Sequence, residues 1–320
     1  MNRIVNGRDV SLDFIRVLAT LLVLNSHMDM CYSSCSYLAT GGAMGDAFFF
    51  FISGYGLFLS SKKINFVDWY KKRLGRIYPT VLAMGLLACL VFRQENSFME
   101  IMMVERYWFL KCILVSYLFI YPIWRYQLTL RVVIPLSILV MFVAFYLFYD
   151  FGSSNFYGED CFFRWILFFT IILIGGATCL MSNRLQYRHW NWVALFACIT
   201  IWYGMSFFVK GDLYVFSYFP LVGVCVFTYL VGKSPWIEKC FSHKILGNIL
   251  FVIGGLCLES YLIQWFIITD KMNYLFPLNI PIIVMLVLIS AYMLRIFSEM
   301  IRQIFSLEPF SWKRLLLYKR

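Results

Sequence analysis

An arginine and a histidine lie inside the first long hydrophobic stretch of the chain, which runs from Ser11 to Asp29. Arg16 and His27 are eleven residues apart, so in an α-helix they would lie about three turns, or roughly 16 Å, apart on nearly the same face. Charge at the centre of a lipid-facing helix costs about 2.5–3.5 kcal/mol and usually marks a functional or tightly paired site. Asp13, one turn before Arg16, is within reach of the guanidinium. His27 has two interpretations, a general base for a hydroxyl group or a structural histidine bonded to a neighbouring carbonyl.

The composition is that of a membrane protein. Of the 320 residues, 62% are hydrophobic and 14% are charged, whereas about 25% are charged in a soluble domain. The mean hydropathy is +0.75. The net charge of +11 would suit a nucleic-acid partner in a soluble protein, but in a membrane protein it more often reflects lysine and arginine on cytoplasmic loops. We therefore predict a polytopic protein in a lipid bilayer, with no nucleic-acid partner.

Ten apolar segments are long enough to cross about 30 Å of hydrocarbon. They are Leu12–Met30, Met44–Ser60, Ile77–Phe92, Tyr107–Trp124, Val132–Phe148, Phe162–Met181, Trp192–Val209, Leu213–Val231, Ile245–Ile268 and Pro277–Phe297. The sequence contains no apparent internal repeat, low-complexity tract or second domain. The predicted fold is therefore all-α, a single transmembrane domain over residues 1–320 with about ten transmembrane helices.

The charges of the loops predict the orientation of these spans, because lysine and arginine accumulate on the cytoplasmic side. With the N-terminus in the cytoplasm, every second loop is cytoplasmic and the positive charge falls mostly on that side. These positive residues are Arg3, Arg8, Lys62, Lys63, Lys71, Lys72, Arg73, Arg76, Arg125, Arg131, Arg184, Arg188, Lys233, Lys239, Lys244, Arg302, Lys313, Arg314, Lys319 and Arg320. Both ends of the chain, residues 1–10 and 300–320, are predicted to be cytoplasmic. This orientation puts His27 toward the outer half of the first span.

The cysteines form no metal-binding or redox pattern, because most of the ten sit singly inside apolar runs. Cys31 and Cys35 are the exception, a C-x3-C pair just beyond the first span. This spacing is compatible with a disulfide if the loop faces an oxidising compartment, but it favours two unpaired cysteines. We predict no metal site.

Two further segments combine polar residues with apolar ones. Gly45–Ser60 contains Ser53 followed by Gly54, Tyr55 and Gly56, and the glycines are typical of close helix packing. The segment WYKKRLGRIYP places Arg73 and Arg76 one turn apart at the cytoplasmic mouth of the third span. Such a pair either anchors the span at the membrane surface or binds a phosphate, because a guanidinium fork binds phosphate oxygens in bidentate fashion.

Two later segments bring aromatic and acidic residues to the membrane region. The run from Arg106 to Pro122 opens with an aromatic start that includes Trp108, which by itself is typical of an interfacial belt. The segment LESYLIQW places Glu259 and Tyr261 inside the ninth span.

Taken together and in this order, these motifs resemble the acyltransferase-3 family of integral membrane acyltransferases. Four features carry the resemblance, and the match extends over nearly the whole chain. They are R-x10-H at Arg16 and His27 preceded by LD-x-x-R, FFxISGY at Phe49–Tyr55, RxxR followed by IYP at Arg73–Pro79, and WFL at Trp108–Leu110. Two positions depart from the family pattern. Gln264 stands where members often have a histidine, and Asp46 stands where many are apolar.

The resemblance implies an acyl-CoA donor, with acetyl-CoA as the default, and a hydroxyl acceptor. It implies that His27 is the general base or a transient acyl carrier, that Arg73 and Arg76 meet the phosphates of coenzyme A, and that Arg16 lies along the donor path. The residues expected to line the cavity are Asp13, Asp46, Ser53, Trp108, Glu259 and Tyr261, with Glu259 as a candidate to orient His27. The implied acceptor is a sugar of a surface glycan or its lipid-linked precursor, at the cell membrane. The oligomeric state is open, a homodimer included.

Two other functions compete with this one. A multispan transporter or exporter could use Arg16 and His27 in an ion or substrate pathway, although an inverted repeat that would favour it is not found. A structural subunit could hold a partner through its polar spans. The paired arginines Arg73 and Arg76 count mildly against that.

Overall fold

The structure is a computed structural model, and it describes residues 9–59, 64–93, 97–102, 104, 107–126, 128–148, 163–209, 211–306 and 309–317. Several residues of the predicted charge pattern, among them Arg3, Arg8, Lys62 and Lys63, lie outside this part. The helices are α1 Val10–Ser26, α2 Gly42–Phe58, α3 Phe66–Leu90, α4 Ser97–Met102, α5 Trp108–Arg125, α6 Leu130–Phe148, α7 Phe163–Leu180, α8 Trp190–Phe208, α9 Tyr218–Gly232, α10 Pro235–Ser242, α11 Lys244–Gly255, α12 Cys257–Ile267, α13 Asn279–Ile304 and α14 Trp312–Leu315. Short 3₁₀ helices cover Asp29–Leu38, Gly211–Ser217 and Asp270–Leu275.

The all-α, multi-pass architecture is confirmed, and across the described ranges no strand occurs. In that part of the chain, seven helices are long and apolar enough to cross a membrane, or nine spans if each of two bent helix pairs counts as one. Helix α2 is apolar but has only 17 residues. The prediction of about ten spans is reached only when α2 is added to these.

Three of the predicted spans differ from the helices observed. The first helix ends at Ser26, and the chain bends by 101° into the 3₁₀ helix Asp29–Leu38. The predicted ninth span is two helices, α11 and α12, bent by 73° where α11 ends in a pair of glycines that weaken a helix. The third helix begins eleven residues before the predicted Ile77, so the basic segment is helical and not a loop. Asn65 causes this early start, because its side chain accepts a hydrogen bond from the Asp68 amide at 2.8 Å and caps the helix.

The chain divides into two compact units, and the division cuts α1, α2 and α5. The first unit contains residues 1–15, 46–63 and 112–243. Its helices α2 and α7 cross very closely at Gly54 and Gly175, and Phe50 stacks on Phe168 with ring centroids 4.7 Å apart. At one end of this unit the hydroxyls of Tyr55 and Tyr229 lie 3.1 Å apart, and both donate to the Asp9 carboxylate.

Lys233, directly after α9, ties this unit to the loop that follows α7. Its Nζ donates to the carbonyls of Ser182 at 3.0 Å and Leu185 at 2.8 Å. Burial lowers the pKa of Lys233, and the nearby Asp9 carboxylate opposes that shift. Two carbonyls that a helix end and a loop would otherwise leave open are therefore satisfied by one ammonium group.

The second unit contains residues 16–45, 64–111 and 244–320. Helices α3, α12 and α13 pack against one another there, and the hydroxyls of Thr80 and Ser298 join α3 to α13 at 2.9 Å. Cys31 and Cys35 are free thiols, and the Cys31 Sγ instead donates to the carbonyl of Thr269 at 3.5 Å.

Candidate functional site

The candidate residues are distributed over both units. The second unit holds most of them, namely Arg16, His27, Arg73, Arg76, Trp108, Glu259 and Tyr261, and the first unit holds Asp13, Asp46 and Ser53.

His27 is the first residue after α1 and lies at the bend into the 3₁₀ helix Asp29–Leu38. Its ring is half-buried and packs against the indole of Trp265, with the centroids 4.8 Å apart and the planes tilted by 48°. Among the described residues, none forms a hydrogen bond with either nitrogen of this imidazole. Both nitrogens are thus available to a substrate, and the alternative of a structural histidine bonded to a carbonyl has no support here.

The backbone around His27 is held in place by a set of asparagines. Asn25, two residues earlier, donates from Nδ2 to the carbonyls of Leu38 and Thr40, each at 2.9 Å, and so ties the end of α1 to the far end of the 3₁₀ segment. Asn273 donates to the Met30 carbonyl, near the start of that segment, at 2.8 Å. These bonds satisfy backbone carbonyls of the segment and hold it against the end of α1, where His27 lies.

A third asparagine, at the start of α13, also holds the 3₁₀ segment in place. Asn279 is fully buried and donates from Nδ2 to the Cys31 carbonyl at 2.7 Å and to Asn273 Oδ1 at 3.1 Å. The segment between α12 and α13, together with the first residue of α13, therefore holds the 3₁₀ helix Asp29–Leu38 in place. Trp265 belongs to the last turn of α12. The ring that packs on His27 and the asparagines that hold the following backbone therefore come from neighbouring parts of the chain.

Glu259 does not lie beside His27 but beside an arginine that sequence reasoning missed. Its carboxylate, in a residue only 5% exposed, lies 3.8 Å from Nη1 of Arg295 in α13. The carboxylate whose charge acts on His27 is Asp29, two residues further along. Glu259 is six residues before Trp265 on α12, a rise of about 9 Å, which explains why it does not orient the histidine.

Arg16 lies near the first turn of α12. Its charge acts on the thiol of Cys257, the first residue of that helix, as does the charge of Glu259. Arg16 in α1 and His27 directly after it thus each have a neighbour on α12, Cys257 at its first residue and Trp265 in its last turn. Helical rise would separate Arg16 from His27 by about 16 Å and Cys257 from Trp265 by about 12 Å, which agree within a turn of helix.

Tyr261 and Trp108 belong to one aromatic cluster in the second unit. The Tyr261 ring lies 5.7 Å from that of Tyr107 and 5.6 Å from that of Phe109, and Phe109 in turn contacts Trp108 at 6.1 Å. Tyr107 also donates its hydroxyl to the carbonyl of Leu262 at 3.3 Å. The start of α5 is thus fixed to the middle of α12, and the four rings form one aromatic cluster between these two helices.

Arg73 and Arg76 lie on one face of α3, three residues apart. Arg73 is half-buried, with its guanidinium carbon 5.1 Å from the centroid of the Trp69 ring, whereas Arg76 is exposed. Two guanidinium groups one turn apart, one of them over an indole ring, are the residue type that recognises phosphate oxygens in bidentate fashion. Lys71 and Lys72 are exposed beside them and add to the positive charge.

In the first unit, Asp46 forms part of a charged group that includes a second arginine missed in the sequence. Arg164, in the first turn of α7, is 3% exposed, and both it and Asp46 act electrostatically on the thiol of Cys112. Ser53 and Asp13 are half-buried in helices α2 and α1. Tyr55, the last residue of the FFxISGY motif, is hydrogen-bonded to Tyr229 and Asp9, so its contacts are structural.

The described residues contain no group of histidine, cysteine, aspartate and glutamate side chains that could hold a metal ion. A comparison with protein-family models identifies the acyltransferase domain of the acyltransferase-3 family over residues 9–296. The chain belongs to this family. No curated protein and no solved structure matches the acyltransferase chain. Family membership and apolar helices together define a multi-pass membrane acyltransferase.

Three residues of the acyltransferase next to the candidate side chains were not predicted: Trp265, Arg295 and Arg164. Trp265 stands in the LESYLIQW segment, but an aromatic residue there is also typical of lipid exposure. Arg295 and Arg164 are charged residues within or at the start of apolar segments, the same signal that marked Arg16. A count of intramembrane charges would have included them, although it would not have identified their partners.

Proposed function

We propose that the protein transfers an acyl group, acetyl by default, from cytoplasmic acyl-CoA to a sugar hydroxyl, with His27 as general base. The acceptor would be a surface glycan or its lipid-linked precursor, and the enzyme would work in the cell membrane. The observation that carries the proposal is the half-buried imidazole of His27, held against Trp265 and hydrogen-bonded to no described residue. A general base needs a nitrogen that is fixed in direction and not already occupied.

The chemistry balances with a single histidine. The neutral imidazole takes the proton of the acceptor hydroxyl as its oxygen attacks the thioester carbonyl. The carbon–sulfur bond then breaks, and the thiolate of coenzyme A leaves and receives the proton from the imidazolium. The contact of the ring with Trp265 and the hydrogen bonds that hold the adjoining backbone limit movement of the imidazole during both proton transfers.

Arg73 and Arg76 would hold the phosphates of coenzyme A on the cytoplasmic side. The exposure of Arg76 and the stacking of Arg73 on Trp69 support this role, because a preorganised guanidinium loses less freedom on binding a phosphate. Arg16, near the break between α11 and α12, would lie further along the donor path, and His27 would lie at its reacting end.

The test uses the purified protein in nanodiscs, with acetyl-CoA as donor. Wild-type protein should turn over acetyl-CoA, and His27→Ala should lower turnover by at least ~100-fold while leaving the Kd for coenzyme A within about twofold. His189→Ala is the matched control, because this histidine belongs to the first unit and its ring contacts Tyr187; the variant should leave turnover unchanged.

A second pair of variants tests the donor site. Arg73→Ala with Arg76→Ala should weaken coenzyme A binding, whereas Arg184→Ala with Arg188→Ala, two exposed arginines of another predicted cytoplasmic loop, should not. If wild-type protein neither binds nor turns over acetyl-CoA or longer acyl-CoA esters, the proposed donor is wrong and the transport alternative gains. Mass spectrometry of surface glycans from cells with and without the gene identifies the acceptor.

A further inference from the structure

Two polar side chains on α12 are buried without hydrogen-bond partners. Gln264 is 1% exposed, and within the described part of the chain neither its Oε1 nor its Nε2 has a partner. Ser260 is 2% exposed, and its hydroxyl has no partner among the same residues. They are four residues apart, so they lie one above the other on a single face of the helix. Buried polar groups are normally satisfied, and two unsatisfied ones together indicate that something else binds them.

The position of the two residues associates them with the proposed reaction path. Along α12, Cys257 is under the influence of Arg16 and Trp265 packs on His27, and Ser260 and Gln264 lie between these two levels. They occupy the face adjoining that of Tyr261 and Trp265, which are also one turn apart. A polar ligand that reaches from Arg16 toward His27 would come level with these side chains along α12.

We infer that Ser260 and Gln264 form a subsite that binds a neutral hydrogen-bonding group of one substrate. The inference rests on the function proposed above and extends it to the ligand. An amide with both atoms unsatisfied needs a ligand that donates and accepts at once, and the hydroxyl beside it can do either. A sugar hydroxyl of the acceptor meets this requirement, and so does an amide of the pantetheine arm of the donor. A phosphate or a carboxylate does not, because it would leave Oε1 without a donor.

The sharpest variant is Gln264→Leu, which keeps the size of the side chain but removes both polar atoms. Because the fold gives this amide no hydrogen bond, the variant should melt at a temperature no lower than wild type, while the KM for the substrate it contacts should rise about tenfold, or about 1.4 kcal/mol. Ser260→Ala should raise the same KM by a smaller factor. Measurements of KM for acetyl-CoA, and for p-nitrophenyl glycosides as acceptor probes, distinguish the donor amide from the sugar hydroxyl.

Gln303 provides a matched control in the same unit. It is also a buried glutamine, but its Nε2 donates to the Ser311 carbonyl at 3.2 Å and its Oε1 accepts from the Ser311 amide at 2.6 Å. Gln303→Leu should therefore melt several degrees lower than wild type and leave both KM values unchanged.

Two results would overturn the subsite. One is a Gln264→Leu protein that melts below wild type, as Gln303→Leu should, because the amide would then be bonded within the fold. The other is a Gln264→Leu protein of full stability with both KM values unchanged. In either case wild-type turnover of acetyl-CoA would leave the proposed function standing, whereas its absence would count against that function and not against the subsite alone.

Discussion

Substitution of Gly54 by alanine should separate helices α2 and α7 and destabilise the protein. A Cβ atom on Gly54 would lie 1.8 Å from the carbonyl oxygen of Ile172, whereas ordinary contacts begin near 3.4 Å. The obstacle is backbone, so no rotamer change relieves the clash and the two helices must move apart by about 1.5 Å at the crossing. Gly175 meets the Phe51 carbonyl in the same way, with its added Cβ at 2.0 Å.

The magnitude follows from two opposing effects. Overpacking of a well-packed contact typically costs about 1–3 kcal/mol, and a separated crossing also weakens the Phe50–Phe168 stack beside it. Alanine in place of glycine gains up to about 1 kcal/mol in helix propensity. Gly56 isolates that second effect, because a Cβ there meets nothing within 4 Å. Because both variants gain the same helix propensity, we expect Gly54→Ala to be less stable than Gly56→Ala by the overpacking cost, about 1–3 kcal/mol, or roughly 1.5–4.5 °C in Tm for a chain of this length.

The assay is thermal unfolding in nanodiscs, followed by tryptophan fluorescence, for wild type and both alanine variants. Gly56→Ala should melt at or above the wild-type temperature and Gly54→Ala clearly below it. If the two variants melt together, the close crossing of α2 and α7 is not required for stability, and the packing role of the Ser53-Gly54-Tyr55 motif would have to be abandoned.

Three further predictions concern charges. Arg295→Met should cost about 3–5 kcal/mol, because it leaves the buried carboxylate of Glu259 without its cation, and the double variant with Glu259→Gln should melt at a higher temperature than Arg295→Met alone. Lys233→Met should lower the Tm in the same assay because two carbonyls lose their donor, at about 1–3 kcal/mol for each group, whereas the exposed Lys239→Met should not. The last prediction tests the orientation in chains that keep a single cysteine. A membrane-impermeant maleimide should label Cys35 in intact cells, and it should label the cysteine of a Lys239→Cys variant only after permeabilisation. The reverse pattern would overturn the predicted orientation.

The course of the helices could be predicted from the sequence wherever a single local signal controls it. Apolar length placed α5 to α9 within a few residues of their observed bounds, because burial in lipid requires such length whatever the neighbours are. The start of α3 was missed because hydropathy marks where a helix enters the membrane and not where it begins. The Asn65 cap is a polar signal that lies outside the hydropathy window.

The site shows the same division between local and tertiary information. His27 could be selected because it is the one histidine inside a predicted apolar span, and residue type alone indicates proton transfer. Its neighbours could not, since Trp265 is more than two hundred residues away in the chain and reaches it only through packing. The expectation that Glu259 orients His27 was wrong for the same reason. The helical rise of α12 separates Glu259 from the turn that contacts His27, and its partner Arg295 comes from α13.

The bend in the predicted ninth span explains why Arg16 and His27 both have neighbours on one short helix, α12. Because the chain bends by 73° between α11 and α12, the first turn of α12 begins close to Arg16 and not at the end of a continuous span. Cys257 and Glu259 lie near charged side chains there, and Trp265, eight residues after Cys257, contacts His27. Gln264 lies on this helix at the position where the family resemblance would lead one to expect a histidine. An amide cannot accept a proton as an imidazole would, so in the proposed mechanism His27 is the base and α12 contributes only to substrate binding.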